Sequence, residues 1–339
     1  MTAAERAYLM LRRIGNPLTR LQRRRATQQA EMAELLTSVR QIKQTLAKLT
    51  LRESQLRVIM EADSALEEAS AQLDVIIADG QIAQHVRAAI AATPIKTHPF
   101  PHVFVRNLFP TTFYKALIRG LPPVQLFEDQ PVNHQQLVVP LAMGPTYSRR
   151  IWRHLGRVVA QEVLMPAMVD KFRAPLEEWI SINWPTLSNN PLGPPMDMAC
   201  SEGRIMLRRR GYTIRPHRDP KWGFLTCLMY LARPGDPEEW GTQLYAVDED
   251  NEDKGAAPHW VDPKGCRLVT EVPFRKNSAL VWLNSVGAHG AFVPDDAPED
   301  LLRFTYQFRV GPSSEALTAL LDLLPDERRA TWSGKRGKY

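Results

Sequence analysis

Two histidines and one aspartate in the second half of the chain are of the residue types that together bind a metal ion. His217 and Asp219 stand two residues apart, and His289 follows seventy positions after Asp219. Side chains two residues apart on an extended strand point to the same face. Two imidazoles and one carboxylate form the set that binds non-heme Fe(II) on three corners of an octahedron and leaves three corners open. The spacing therefore predicts a metal centre at these three residues, hereafter the triad.

A predicted strand near the C-terminus, 303–310, has a polar face that could bind an anion. That face carries Arg303, Thr305, Gln307 and Arg309, and the alternate residues are apolar. Arginine suits a carboxylate because its planar fork binds both oxygens and stays charged. The two arginines are six residues apart, about 20 Å along a strand, so we expect only one to reach a bound dicarboxylate. We assign this role to Arg303, which is nearer to His289 in sequence.

The composition narrows the class of protein. Of 339 residues, 44% are hydrophobic and 24% are charged, which is ordinary for a soluble globular protein. No apolar run approaches the ~18 residues of a membrane span, and the N-terminus lacks the features of a secretory signal. The cysteines, Cys200, Cys227 and Cys266, are odd in number and show no CxxC spacing. A disulfide framework is not expected, and the predicted location is the cytoplasm.

Positive charge is concentrated near the N-terminus. Residues 1–53 contain eleven Arg or Lys and four Asp or Glu, so they carry +7, whereas the whole chain carries +6. The cluster Arg20, Arg23, Arg24 and Arg25 could contact nucleic acid or an anionic membrane surface. No nucleic-acid-binding motif accompanies it. We therefore interpret the cluster as a solvated helix face.

A long helical segment occupies the N-terminal part of the chain. From about residue 18 to about residue 90, Gly and Pro are almost absent. Apolar residues recur there at steps of three and four, which is typical of a coiled coil or a long helical hairpin. They are Met32, Leu35, Val39, Ile42, Leu46, Leu49, Leu56 and Met60. Two interpretations remain open: a homodimer through these helices, or an amphipathic helix packed on the chain's own domain.

Dense prolines at 94–101 predict a domain boundary, with a helical segment at 1–94 and a second domain at 95–339. From Gly203 onward, short apolar runs alternate with turns, as in a β sandwich or barrel. The candidate strands are 204–208, 225–232, 243–247, 267–272, 279–284, 290–293 and 303–310. Strands of this number around a metal predict a double-stranded β-helix, or jelly roll. The fold class is thus α+β, with flanking helices and an N-terminal coiled-coil segment. The acidic run 248–253 is predicted to be a solvated hairpin loop.

Several motifs, in order, carry a family resemblance. They are the segment 98–110, the pair His217 and Asp219, the segments 226–231 (TCLMYL) and 241–245 (GTQLY), His289, and Arg303. Together they resemble the Fe(II)/2-oxoglutarate-dependent oxygenases, most closely bacterial members of the prolyl-hydroxylase-like branch. The similarity covers about residues 95–312 and leaves out the coiled-coil segment.

The resemblance implies a role for each matching residue. The triad would bind Fe(II), and Arg303 would bind the far carboxylate of 2-oxoglutarate. The strand tyrosine that the family often uses for the same carboxylate aligns with Met229 and not with Tyr230. The implied cofactors are Fe(II), 2-oxoglutarate as cosubstrate and O2, with ascorbate as a reductant.

The activity implied by the resemblance is hydroxylation of an unidentified substrate with release of succinate and CO2. Two alternatives remain open. One is a non-catalytic coiled-coil adaptor with a metal-binding jelly roll, and the other is a cupin-like metal isomerase, which would not need Arg303. Residues 125–200 and the insertion 248–266 are expected to shape the substrate pocket. Trp222 and Trp282 either line its mouth or belong to the core.

Overall fold

The computed structural model of this chain divides into two compact units, Met1–Val58 and Ile59–Tyr339. The structure describes residues 2–6, 10, 17–127, 141–248 and 259–332. The predicted acidic loop at 248–253 lies outside these ranges except for its first residue. Residues 128–140, part of the region expected to shape the substrate pocket, also lie outside these ranges.

The first unit consists mainly of one long helix. Helix α1 covers Pro17–Ala65, and its part up to Val58 belongs to this unit. Proline suits the first position of a helix because the N–H that it lacks has no partner there. The predicted helical segment is confirmed, whereas its association as a coiled coil stays a prediction. No helix in the described ranges, α1 included, has the length and apolar character needed to cross a membrane.

The second unit begins earlier than the domain boundary predicted at residues 94–95. Helices α2 (Glu67–Ile77) and α3 (Gln81–Ala92) bury apolar side chains, among them Leu73 and Val86. These side chains belong to the same hydrophobic core as the strands that follow. The prolines end a helix without ending the core, and the compact unit therefore starts well before them.

In the rest of the second unit, helices and strands mostly follow one another in separate groups. Helices α4 to α9 are Thr111–Arg119, Thr146–His154, Met165–Lys171, Arg173–Asn183, Ser314–Asp322 and Asp326–Trp332, with a π-helical stretch Leu155–Leu164 between α5 and α6. Strands β1 to β11 are His102–Arg106, Met198–Cys200, Arg204–Arg208, Thr213–Arg218, Leu225–Tyr230, Thr242–Val247, His259–Trp260, Cys266–Val272, Ser278–Leu283, Ala288–Phe292 and Arg303–Pro312. The seven candidate strands are all present, with some ends shifted.

The strands form two antiparallel sheets. The larger sheet has the order β1-β9-β5-β11-β2, with β3 also paired to β11, and the smaller sheet has the order β7-β4-β10-β6-β8. Each pairing of neighbouring strands is antiparallel. The prediction of an α+β chain, in which helices accompany antiparallel sheets, is confirmed.

Strand β11 separates the main core from a cavity lined by both sheets. Its apolar residues, such as Tyr306 and Phe308, belong to the core, where the ring of Trp152 stacks on Tyr306 at 5.3 Å between centroids. Its polar residues, from Arg303 to Arg309, line the cavity. Burying one large apolar side chain contributes about 1.5–3 kcal/mol. A one-residue slip would exchange the two faces, so core packing directs the arginines into the cavity.

Candidate metal centre

Neighbouring strands of the smaller sheet bring the triad together. His217 in β4 pairs directly with His289 in β10, and Asp219 follows the end of β4. Residues paired in this way have Cβ atoms about 4.5–5.5 Å apart, and the two imidazole centroids are 4.2 Å apart. One ligand atom from each triad residue lies within 4.8 Å of the other two. The three side chains can therefore bind one ion, and they form the one such cluster within the described ranges.

The triad imidazoles are oriented for metal binding. Nδ1 of His217 lies 3.0 Å from the backbone oxygen of Arg215. Because a carbonyl oxygen only accepts, Nδ1 carries the proton and Nε2 keeps its lone pair. Nε2 of His289 lies 3.9 Å from Oδ2 of Asp219. Both rings thus direct a nitrogen towards the centre of the cluster.

The charge state of the triad also suits a cation. Burial lowers the pKa of His217. Burial, reinforced by the neighbouring His217, lowers the pKa of His289 to about 3. Burial alone would raise the pKa of Asp219, but Arg309 and the two histidines outweigh this effect and hold that pKa well below its usual range. At neutral pH the triad is two neutral imidazoles and a carboxylate, the form that binds a divalent metal.

Two further residues hold the Asp219 carboxylate in place. Thr226 donates a hydrogen bond from Oγ1 to Oδ2 at 2.6 Å, and Arg309 donates from Nη2 to Oδ1 at 2.6 Å. Asp219 and Arg309 are 4% and 8% exposed at their side chains. The sequence analysis left Arg309 without a role, although its place on the polar face of β11 was the available signal. Both arginines of β11 reach the cavity, and Arg309 binds a triad residue.

Replacing Thr226 by valine is expected to lower the free energy of unfolding of the metal-free protein. The change keeps the side-chain shape but removes a buried donor to a carboxylate, which costs about 1–3 kcal/mol. Denaturant unfolding measures the loss. Thr318→Val is a matched control, because Thr318 bonds only the backbone of an exposed helix turn. Equal effects of the two changes would contradict the role given to Thr226.

Arg303 is a buried cation with an unused donor. It is 3% exposed, and its guanidinium carbon lies 4.6 Å from the centre of the Phe274 ring. Its Nε is buried and has no hydrogen-bond partner among the described residues. Burial lowers the pKa of Arg303 to about 10, which still leaves the group charged at neutral pH. A buried donor without a hydrogen-bond partner is costly, and the group is positively charged, so this position is suited to an anionic ligand.

Tyr230, and not Met229, faces the same cavity as Arg303. Tyr230 lines the cavity together with Arg303, and its hydroxyl donates to Oγ1 of Thr242 at 2.7 Å. Met229 instead packs in the main core. Alternate residues of a strand point to opposite faces, and β5 therefore directs Tyr230 towards the cavity and Met229 towards the main core.

The cavity is small and partly aromatic. Its volume is about 220 Å³, and the triad residues, Tyr230, Trp282 and both arginines of β11 lie along its wall. Trp282 is 2% exposed and its ring centroid is 4.6 Å from that of His289, so it is at once a core residue and part of the wall. Trp222 lines an adjacent cavity, where its ring lies 5.7 Å from the guanidinium carbon of Arg309.

No family model matches this sequence, and no curated protein matches it. Several solved structures do resemble the fold. A 2OG-Fe(II) oxygenase family oxidoreductase from Burkholderia pseudomallei is 12% identical, with 75% of this chain and 89% of that chain covered and a TM-score of 0.28. A prolyl-4-hydroxylase from Pseudomonas putida is 13% identical, with 68% and 98% covered and a TM-score of 0.31. HygX from Streptomyces hygroscopicus, solved with nickel, 2-oxoglutarate and hygromycin B, is 12% identical, with 63% and 83% covered and a TM-score of 0.35.

The Burkholderia pseudomallei protein is of the oxygenase family that the sequence motifs resemble, and the Pseudomonas putida protein is a prolyl-4-hydroxylase. The TM-scores are below 0.5 and the identities are low. The function proposed below therefore rests on the geometry of the triad and of Arg303.

Proposed function

We propose that this chain is an Fe(II)- and 2-oxoglutarate-dependent oxygenase whose two sheets form a double-stranded β-helix. One observation carries the proposal: the converging triad shares its cavity with Arg303, a buried cation whose Nε has no partner among the described residues. A metal alone would not account for a buried arginine on the wall of the same cavity. A metal with a dicarboxylate ligand accounts for both.

The triad fits iron better than a structural zinc ion. Structural zinc sites have four protein ligands, commonly with cysteine thiolates, whereas this cluster has three ligands and no sulfur. Two histidines and one carboxylate are the facial set of non-heme Fe(II) enzymes, which leaves positions open for other ligands.

The cavity and its polar groups fit 2-oxoglutarate. At about 220 Å³ the cavity is below the roughly 300–1,000 Å³ of sites for drug-sized ligands, which suits a five-carbon dicarboxylate. Arg303 would bind the carboxylate far from the metal through two parallel hydrogen bonds. The Tyr230 hydroxyl, on the same wall, donates its one proton to Thr242, and it would become a second donor to that carboxylate by turning this proton away from Thr242.

The chain's own residues orient the reactants and protect them from water. When bound, Fe(II) and 2-oxoglutarate supply oxidation by O2, with 2-oxoglutarate converted to succinate and CO2. Arg309 keeps Asp219 ionised, and Arg309 and Thr226 fix its carboxylate, because each donates to one of its oxygens. Trp282 closes the wall beside His289, and exclusion of water from such a site strengthens its electrostatic interactions and limits side reactions. Hydroxylation of a separate substrate is the reaction that we propose.

Incubation of the whole chain with Fe(II), ascorbate and 2-oxoglutarate tests this proposal. Succinate should form in proportion to the 2-oxoglutarate consumed. Titration calorimetry should also show that 2-oxoglutarate binds more tightly once the triad holds a metal. Metal binding without any 2-oxoglutarate binding would favour the non-catalytic adaptor. Isomerised product without consumption of 2-oxoglutarate would favour the cupin-like isomerase.

Replacing Arg303 by glutamine is expected to weaken 2-oxoglutarate binding about 10- to 100-fold while metal binding stays unchanged. A hydrogen-bonded interaction with an ionised carboxylate contributes about 1.5–3 kcal/mol, and each 1.4 kcal/mol is tenfold in affinity. The KM for 2-oxoglutarate and its calorimetric affinity measure the effect. Arg275→Gln is the control, because Arg275 pairs with Glu238 at the surface. An unchanged affinity for 2-oxoglutarate in the Arg303 variant would contradict the assignment of this residue as the carboxylate-binding group.

A further inference from the structure

An apolar seam along helix α1 is exposed to solvent. Its seven side chains are each 54–60% exposed. They are Met32, Leu35, Val39, Ile42, Leu46, Leu49 and Leu56. Monomeric soluble proteins rarely expose a continuous apolar surface of this kind, so the seam needs a partner.

The spacing of the seam specifies what kind of partner fits. With Met32 at position a and Leu35 at position d of a seven-residue repeat, the apolar residues alternate between a and d as far as Leu49; Glu53 occupies the next a position, and Leu56 the d position after it. The seam is about 36 Å long at 1.5 Å per residue. Repeats sustained over this length are typical of a helix that packs against another helix through a and d side chains.

We propose that a second copy of this chain covers the seam and that the two α1 helices run antiparallel. A parallel pair in register would set Arg25 against Arg25 and Glu53 against Glu53 at a positions. It would also place Arg52, at position g, beside Arg57, at position e, of the second copy. Charges at e and g set the orientation of paired helices, and all of these contacts are between like charges.

The antiparallel arrangement removes each of these conflicts. With Val39 opposite Ile42 of the second copy, the layers on either side join Met32 to Leu49 and Leu35 to Leu46. Continuing this register sets Glu53 opposite Gln28 and Arg25 opposite Leu56.

The flanking positions gain attraction in the same register. Glu31 and Arg52 are both at position g, and Glu31 of each copy faces Arg52 of the other copy. The dimer therefore has two such contacts, one on each side of its centre. The basic clusters around Arg24 are also separated. Arg25 of one copy lies level with residue 56 of the other, about 45 Å from the second Arg25, well beyond the Debye length of ≈ 10 Å at 0.1 M salt. Charge complementarity therefore favours a second copy in this orientation.

The mass of the whole chain in solution tests whether the seam joins two copies. Light scattering should give twice the 38.5 kDa of the chain, and the double variant Val39→Glu with Ile42→Glu should give the single-chain mass. The control is Ala33→Glu with Ala47→Glu, which adds the same charge on exposed outer positions of the helix and should stay dimeric. Circular dichroism checks that both variants keep the helix. A single-chain mass for the unaltered protein, a mass above two chains, or a dimeric seam variant would each overturn the proposal.

The variant Arg52→Glu tests the orientation, because the two arrangements predict opposite signs. In the antiparallel dimer it turns two attractive Glu31–Arg52 contacts into repulsions and should raise the dissociation constant about five- to tenfold. Combining it with Glu31→Arg should restore the affinity. In a parallel dimer, Arg52→Glu would instead relieve repulsion from Arg57 and tighten binding. Tighter or unchanged binding in sedimentation equilibrium would overturn the antiparallel arrangement, and Lys48→Glu, outside the seam, is the control.

Discussion

His289→Ala is expected to abolish the binding of divalent metal and, with it, the consumption of 2-oxoglutarate. The change leaves two of three ligands, and the neighbouring Trp282 cannot replace the lost nitrogen. Metal titration under anaerobic conditions, followed by the succinate assay, measures both losses. The unfolding transition should remain cooperative, because the main hydrophobic core lies on the other side of the larger sheet and does not include His289.

A matched histidine outside the cluster controls for this result. His85 lies exposed on helix α3, with Nε2 2.8 Å from the backbone oxygen of Asn107. His85→Ala should leave metal affinity and turnover unchanged. If His289→Ala and His217→Ala both retained the metal affinity of the unaltered chain, the triad would not be the metal site and the oxygenase proposal would fail.

Arg309→Met is expected to lower the free energy of unfolding of the metal-free protein by about 3–5 kcal/mol. Removing one partner of a buried ion pair leaves the other charge without compensation, and the Asp219–Arg309 pair is almost fully buried. A divalent ion supplies positive charge at the same carboxylate, so saturating metal should restore part of the loss. Denaturant unfolding with and without metal measures both effects. An equal loss in the two conditions would contradict the inference that Arg309 acts through Asp219.

The pH dependence of the Arg309 effect has a defined sign. The pKa of Asp219 is lower in the folded protein than its usual value. Its contribution to stability is therefore present above the unfolded pKa of about 3.9 and is lost as the pH falls through the folded value. The difference between the unaltered chain and Arg309→Met should be largest near neutral pH and should shrink in acid. Arg303→Met is the control: Arg303 is not among the groups that lower the pKa of Asp219 and its replacement should show no such dependence.

The sequence by itself determined those features that depend on neighbouring residues. The alternation along 303–310 predicted which face of β11 is apolar and which is polar, and the structure has Phe308 in the core and Arg303 in the cavity. The absence of Gly and Pro after Pro17 predicted the long helix α1. The residue types of the triad predicted the metal that it suits. These features follow from local geometry, since the period of a strand or helix relates residues only a few positions apart.

The tertiary structure alone decided which distant side chains meet. The pairing of His217 with His289 depends on the register between β4 and β10, and the contact of Arg309 with Asp219 joins β11 of the larger sheet to the residue that follows β4 of the smaller sheet. The register of β5 likewise decided that Tyr230 faces the cavity and that Met229 packs in the main core. Helices α2 and α3 precede the proline-dense segment but belong to the main core. The boundary between the compact units therefore lies at Val58. Register and core membership arise from packing across the whole second unit, and no spacing within one segment of the chain encodes them.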